Sequence, residues 1–140
     1  MNTKLLRKPS PLQTVLLLLQ TMLVLAACQE SLESRCYREA KQYTEKHCPL
    51  PVEKDVVMDS MTFDRATHTI SYVYTLSGLL DDSATIMRQD PRQLLLQQLK
   101  NTPNLKLYKD AGYSFRYVYY SAQHPSSKLF DTTFHQEDYQ

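Results

Sequence analysis

The sequence predicts an α+β fold: a single antiparallel sheet of four to five strands with two helices on one face, in the order α-β-β-α-β-β-β. Three observations carry this reading. Apolar residues recur at steps of three and four over 32–46 and again over 92–99, the spacing of a helix with one buried stripe. Residues alternate between two unlike faces over 69–76 and 113–120, the period of a half-buried strand. Prolines and glycines punctuate the ends of these runs.

The first helix runs from Leu32 to about Lys46, with Leu32, Cys36, Ala40 and Tyr43 on its apolar stripe. Ser31 is placed to cap it, and Pro49 and Pro51 stop it. Val56 to Phe63 and Thr69 to Leu76 form a hairpin around the polar break 64–68. Ser77 to Gln89 is a polar loop. Asp90-Pro91-Arg92-Gln93 then starts the second helix: a capping acid, a proline where its missing N–H is harmless, and a glutamine three residues after the cap. Arg92, Leu95, Leu96 and Leu99 share its stripe, Leu94 widens it, and Asn101 with Pro103 ends it. Leu105 to Lys109 and Tyr113 to Ser121 read as a second hairpin, with Gly112 supplying the positive φ of the turn. Lys128 to Phe134 pairs as a last strand, and 135–140 is a frayed end. A sheet curled around the first helix, cystatin-like in outline, satisfies the same pattern.

The N-terminus decides where this domain operates. Lys4, Arg7 and Lys8 precede an apolar run over 12–27 that ends in small residues at Cys28, the three-part plan of a secretory signal peptide. At ~1.5 Å per residue the run spans only ~24 Å, short of the ~30 Å hydrocarbon core a transmembrane helix must cross. Leu25-Ala26-Ala27-Cys28 resembles the lipobox of bacterial lipoproteins. That resemblance implies cleavage before Cys28, acylation of its thiol and amine, and a mature chain anchored by two or three acyl chains, enough for stable attachment. Residues 28–31 are then a short tether, 32–134 one α+β domain, and Gln29, in place of the Asp that marks inner-membrane retention, resembles an outer-membrane address. The runs Cys48-Pro49, Tyr72-Val73-Tyr74-Thr75-Leu76 and Tyr108-Lys109-Asp110-Ala111-Gly112 resemble small envelope lipoproteins of anaerobic Gram-negative bacteria; the resemblance carries over no catalytic residue.

Composition excludes several classes. Loss of three basic residues and no acid with residues 1–27 takes the formal charge from +1 to −2, and no basic cluster remains to meet phosphates, so no nucleic-acid partner is expected. Gly78 and Gly112 are the only glycines, which rules out the P-loop and the dinucleotide fingerprint. With Cys28 lipidated, Cys36 and Cys48 remain as a candidate disulfide in an oxidising envelope, provided the helix ends by about Thr44 and the chain turns back; two thiols are the alternative.

No catalytic constellation stands out. Asp81 and Asp82 are adjacent acids of a solvated loop, and the four histidines lie in different elements without metal-ligand spacing, so neither metal nor cofactor is expected. Cys48 beside His47 does not make the usual thiolate pair, whose members meet from distant parts of a chain. Tyrosine is the enriched resource, ten residues against four Phe. Tyr113, Tyr117 and Tyr119 fall on the face expected under the helices. Arg116, Val118 and Tyr120 fall on the other and form the candidate contact patch. The expectation is a non-catalytic, lipid-anchored envelope protein, sited at the outer membrane, that binds a protein partner or joins a membrane-associated assembly. The alternative is a glycan-binding accessory lipoprotein using the tyrosine-rich sheet.

Overall fold

The computed structural model describes residues 30–140. The expected signal peptide (1–27), Cys28 and Gln29 lie outside the described residues.

The architecture is α+β, with a five-stranded sheet in the order β1-β2-β3-β4-β5. Helix α1 (Leu32–His47) leads into β1 (Leu50–Glu53), β2 (Val56–Asp64) and β3 (Thr69–Leu76). A 3-10 turn (Gly78–Leu80), α2 (Ser83–Met87) and α3 (Pro91–Lys100) follow. A second 3-10 turn (Pro103–Leu105) continues into α4 (Lys106–Asp110), and β4 (Ser114–Ser121), β5 (Lys128–Phe134) and α5 (Gln136–Tyr139) complete the chain.

The β2–β3 hairpin forms as its alternation predicts, Phe63 opposite Ile70 and Met61 opposite Tyr72. The α3 start signal also holds: Asp90 accepts from the Gln93 N–H, and Pro91 sits in the first turn. Four expectations need correction. The sheet is mixed: β3 and β4 run parallel, Ile70 opposite Phe115 through Leu76 opposite Ser121, while the other pairs are antiparallel. Leu105 to Lys109 is not a strand; its residues close a 3-10 turn and a turn of α-helix, held by a Lys106–Asp110 ion pair one helical turn apart. The second hairpin is therefore β4–β5, and Gly112, at φ 77°, ends α4 instead of turning a hairpin. Finally, 135–140 is not frayed: Tyr139 is buried and its hydroxyl donates to the Tyr113 carbonyl at 2.6 Å.

A parallel pair needs a long crossover, and everything from Ser77 to Tyr113 supplies it. The crossover brings α3 and α4 onto the face that α1 covers. The core joins Cys36 and Ala40 of α1, Leu95 and Leu99 of α3, Tyr108 of α4 and Tyr139 of α5 to Phe63, Ile70, Phe115, Tyr117 and Phe134 of the sheet. β4, an interior strand between β3 and β5, has residues buried on both its faces.

α1 lies along β2 in a defined direction. Its first turn meets the β2–β3 turn, where Glu33 bonds His68 at 2.7 Å and the Arg65 guanidinium lies over the Tyr37 ring. Further along, the Thr44 hydroxyl donates to the Met61 carbonyl and accepts from the Met61 N–H. The chain thus enters the domain at the β2–β3 end of the sheet. The opposite end carries the β1–β2 turn, the Gly78–Leu80 turn and the β4–β5 loop.

Candidate functional site

At that opposite end a cleft of about 490 Å³ opens on the helix-bearing side of the sheet. Tyr74, Leu76 and Tyr119 line it from the central strands, Val52, Glu53 and Val56 from β1 and β2, and Leu80, Ile86, Pro91, Leu94, Leu95 with Gln89 and Gln98 from the crossover. Local chemistry sets its rim. Gly78, at φ 58°, brings the crossover so close to the β1–β2 turn that an added Cβ would stand 2.8 Å from Asp55 Oδ2, and the Ser77 N–H donates to the Asp55 carbonyl. Asp82 caps α2 by accepting from the N–H and hydroxyl of Thr85. Asp81 points elsewhere and accepts from the Gln123 N–H, tying the rim to the β4–β5 loop. Both carboxyls are held below their ordinary values, Asp81 chiefly by the nearby Ser121 hydroxyl and by the Gln123 N–H, Asp82 by its bonds to Thr85. The two acids are structural clamps turned to different partners.

Apolar side chains collect around this cleft. Leu79 is 87% exposed on the turn behind Leu80, Met87 is exposed beside Ile86, and Val52 and Leu94 are exposed lining residues. Exposed apolar residues on and beside the segments that form one cleft signal a contact surface in a way that scattered single residues do not. The sequence held two signals for it, the apolar pairs Leu79-Leu80 and Ile86-Met87 within the mostly polar 77–89 stretch, but nothing in the pattern placed those pairs beside Leu94.

The tyrosines divide as expected. Tyr113 and Tyr117 are buried in the core. Tyr72 stacks on Tyr117 at 5.1 Å and Tyr74 on Tyr119 at 4.9 Å, across the parallel pair. One face of each ring is thereby covered by its neighbour. Burial pushes the Tyr74 phenol up to about 12 and raises that of Tyr119, so both stay protonated donors on the cleft floor.

The contact patch read from the sequence does share one face, but it is not an open contact surface. Val118 is only 3% exposed, set between Val73 and Asp131 in register. Arg116 is occupied by Asp131, with Nε and Nη2 at 2.9 and 2.6 Å from its two oxygens. Tyr120 is half-buried.

Cys36 and Cys48 are free thiols, which corrects the disulfide expectation. The helix does not end by Thr44; it continues to His47 and holds the two residues ~18 Å apart along its axis, where a bridge needs less than ~7 Å. Burial, reinforced by Glu39, pushes the Cys36 thiol up to about 12, and burial with the charge of Asp59 raises that of Cys48, so neither is poised as a nucleophile. The histidines have separate local roles: His47 packs on Tyr43, His68 bonds Glu33, and His135 Nδ1 meets the Ser114 hydroxyl at 2.9 Å. Among the described residues no group of three or more His, Cys, Asp or Glu side chains gathers to hold a metal ion.

A small α+β domain with one parallel crossover and an apolar cleft at one sheet end is the class that fold and site define. The chain belongs to the family of the domain of unknown function DUF8479, matched over residues 31–130. The fold is shared with a crystal structure, at 1.60 Å, of a protein of Pseudomonas aeruginosa taken to be secreted: TM-score 0.59 at 10% identity, over 80% of this chain and 100% of that one. Comparison with curated proteins finds no match.

Proposed function

We propose that the protein is a non-catalytic lipoprotein of the bacterial cell envelope, anchored through Cys28 at the outer membrane, that binds a protein partner through the cleft between β1, α2 and α3. The observation that carries this reading is an apolar cleft whose lining includes the exposed Val52 and Leu94, with the exposed Leu79 and Met87 next in sequence to the lining residues Leu80 and Ile86. Protein contact surfaces concentrate such side chains around a pocket that seats an anchor from the partner. Glycan stacking fits the site less well, because the Tyr74 and Tyr119 rings already cover one face of each other.

In-cell photo-crosslinking of the full-length protein tests this, with the crosslinker at Leu79 in one strain and at Tyr120 in another, beside a Cys28→Ala control. A discrete protein adduct at Leu79, absent at Tyr120 and lost with the anchor, is the expected result. Adducts at Tyr120 alone would move the site to the other sheet face.

A further inference from the structure

The cleft's chemistry is one-sided, and that narrows what occupies it. Val56, Leu76, Leu80, Ile86 and Leu95 make an apolar interior, Gln89 and Gln98 add neutral amides, and among the described residues Glu53 is the one charged group in the lining. Among the described residues no Lys or Arg lines the cleft. The other acids around it are engaged: Asp55 accepts from Ser77, Asp81 from Gln123, Asp82 from Thr85 and Asp90 from Gln93. Glu53 is exposed and, among the described residues, its carboxylate meets neither an ion-pair partner nor a hydrogen-bond donor.

Resting on the reading of the cleft as a partner site, we propose that its occupant is an apolar peptide segment carrying a positive charge, its aliphatic side chains in the interior and a Lys or Arg on Glu53. A volume of about 490 Å³ falls in the range of sites that enclose a ligand. A carboxylate or phosphate on the same segment would lose water beside Glu53 with no cation to replace it, an unfavourable exchange. The segment is held by side chains and not by strand addition, since the adjoining edge strand β1 is four residues long and contains Pro51, which has no N–H to donate. An amphipathic helix laid in the groove meets these requirements.

The protein contains no Trp, so a Trp-bearing peptide reports binding by its own fluorescence. Full-length protein in phosphatidylcholine nanodiscs, with empty discs subtracted, is titrated with two short amphipathic peptides that share Leu and Trp on one helical face and carry Lys or Glu on the other. The Lys peptide is expected to bind about three- to fivefold tighter, the size of a solvent-accessible ion pair. Glu53→Gln should remove that preference, and Leu94→Asn should weaken both peptides. Equal binding of the two, still weakened by Leu94→Asn, would overturn the charge assignment and leave the cleft as a partner site. Binding indifferent to Leu94→Asn, or none at all, would overturn both.

Discussion

Asp131 sits between two cations, with Arg116 on both its oxygens and Lys128 Nζ at 2.8 Å. These bonds, that of Arg116 foremost, pull its carboxyl from the ordinary 3.8 to about 2. A folded value below the unfolded one contributes stability that is complete above about 3.8 and disappears as the pH falls through about 2. After allowance for solvent screening the contribution is about 1 kcal/mol. Urea unfolding of Asp131→Asn beside the unaltered protein should therefore show a gap of about 1 kcal/mol at pH 6 that closes by pH 2. A gap unchanged with pH would exclude the ion pair as its cause. The same pair explains why the patch at Arg116, Val118 and Tyr120 was only half legible in the sequence. Alternation places the three on one face, but the partner of Arg116 depends on the β4–β5 register, which shifts between Tyr119 and Tyr120. No period along a single strand contains that shift.

At the scale of elements, the edge of β2 is finished by a helix. β1 pairs with β2 only from Met58 to Val56, and beyond it both backbone groups of Met61 bond the Thr44 hydroxyl of α1, at 2.7 and 2.8 Å. Thr44→Val keeps the shape and removes both bonds, which should cost about 1–2 kcal/mol in urea unfolding, while Thr44→Ser should retain most of the stability. Equal losses in the two variants would mean that packing of the methyl group, not the hydroxyl, is what counts. Elements with long periodic stretches, α1, the β2–β3 hairpin and α3, were legible because one face of each meets the core over several turns or residue pairs. Leu105 to Lys109 was not, since five residues with apolar positions 105, 107 and 108 fit a strand edge as well as a helical turn. The Lys106–Asp110 spacing was the local clue to a helix. β1 was hidden by Pro51 and by Pro49 just before it, since proline belongs to an edge strand as readily as to a loop. The C-terminal helix was hidden because its anchor, Tyr139, buries itself against Tyr113, far away in sequence.

At the scale of the whole molecule, alternation supplied two layers but not strand order, because a strand reads alike whether its neighbour is parallel or antiparallel. The parallel β3–β4 pair is what carries the crossover over the aromatic face and forms one wall of the cleft, so the site was illegible until that pairing was known. It also gives the domain two distinct ends. The chain enters at Leu32, next to the β2–β3 turn, and the cleft lies at the Val56–Leu76 end, about 26 Å away along β2 at ~3.3 Å per residue. If the proposed anchor at Cys28 holds, only residues 29–31 separate it from α1, and the β2–β3 turn is the part of the domain nearest the bilayer. The check is quenching of a single fluorophore by brominated lipid, in a Cys48→Ser background so that the half-buried thiol does not take up label. A label at Ala66→Cys, in the exposed β2–β3 turn, should be quenched well beyond one at Leu79→Cys on the cleft rim. The reverse order would mean that the apolar rim itself enters the lipid, and Val52, Leu79, Met87 and Leu94 would then be a membrane contact instead of a surface for a protein partner.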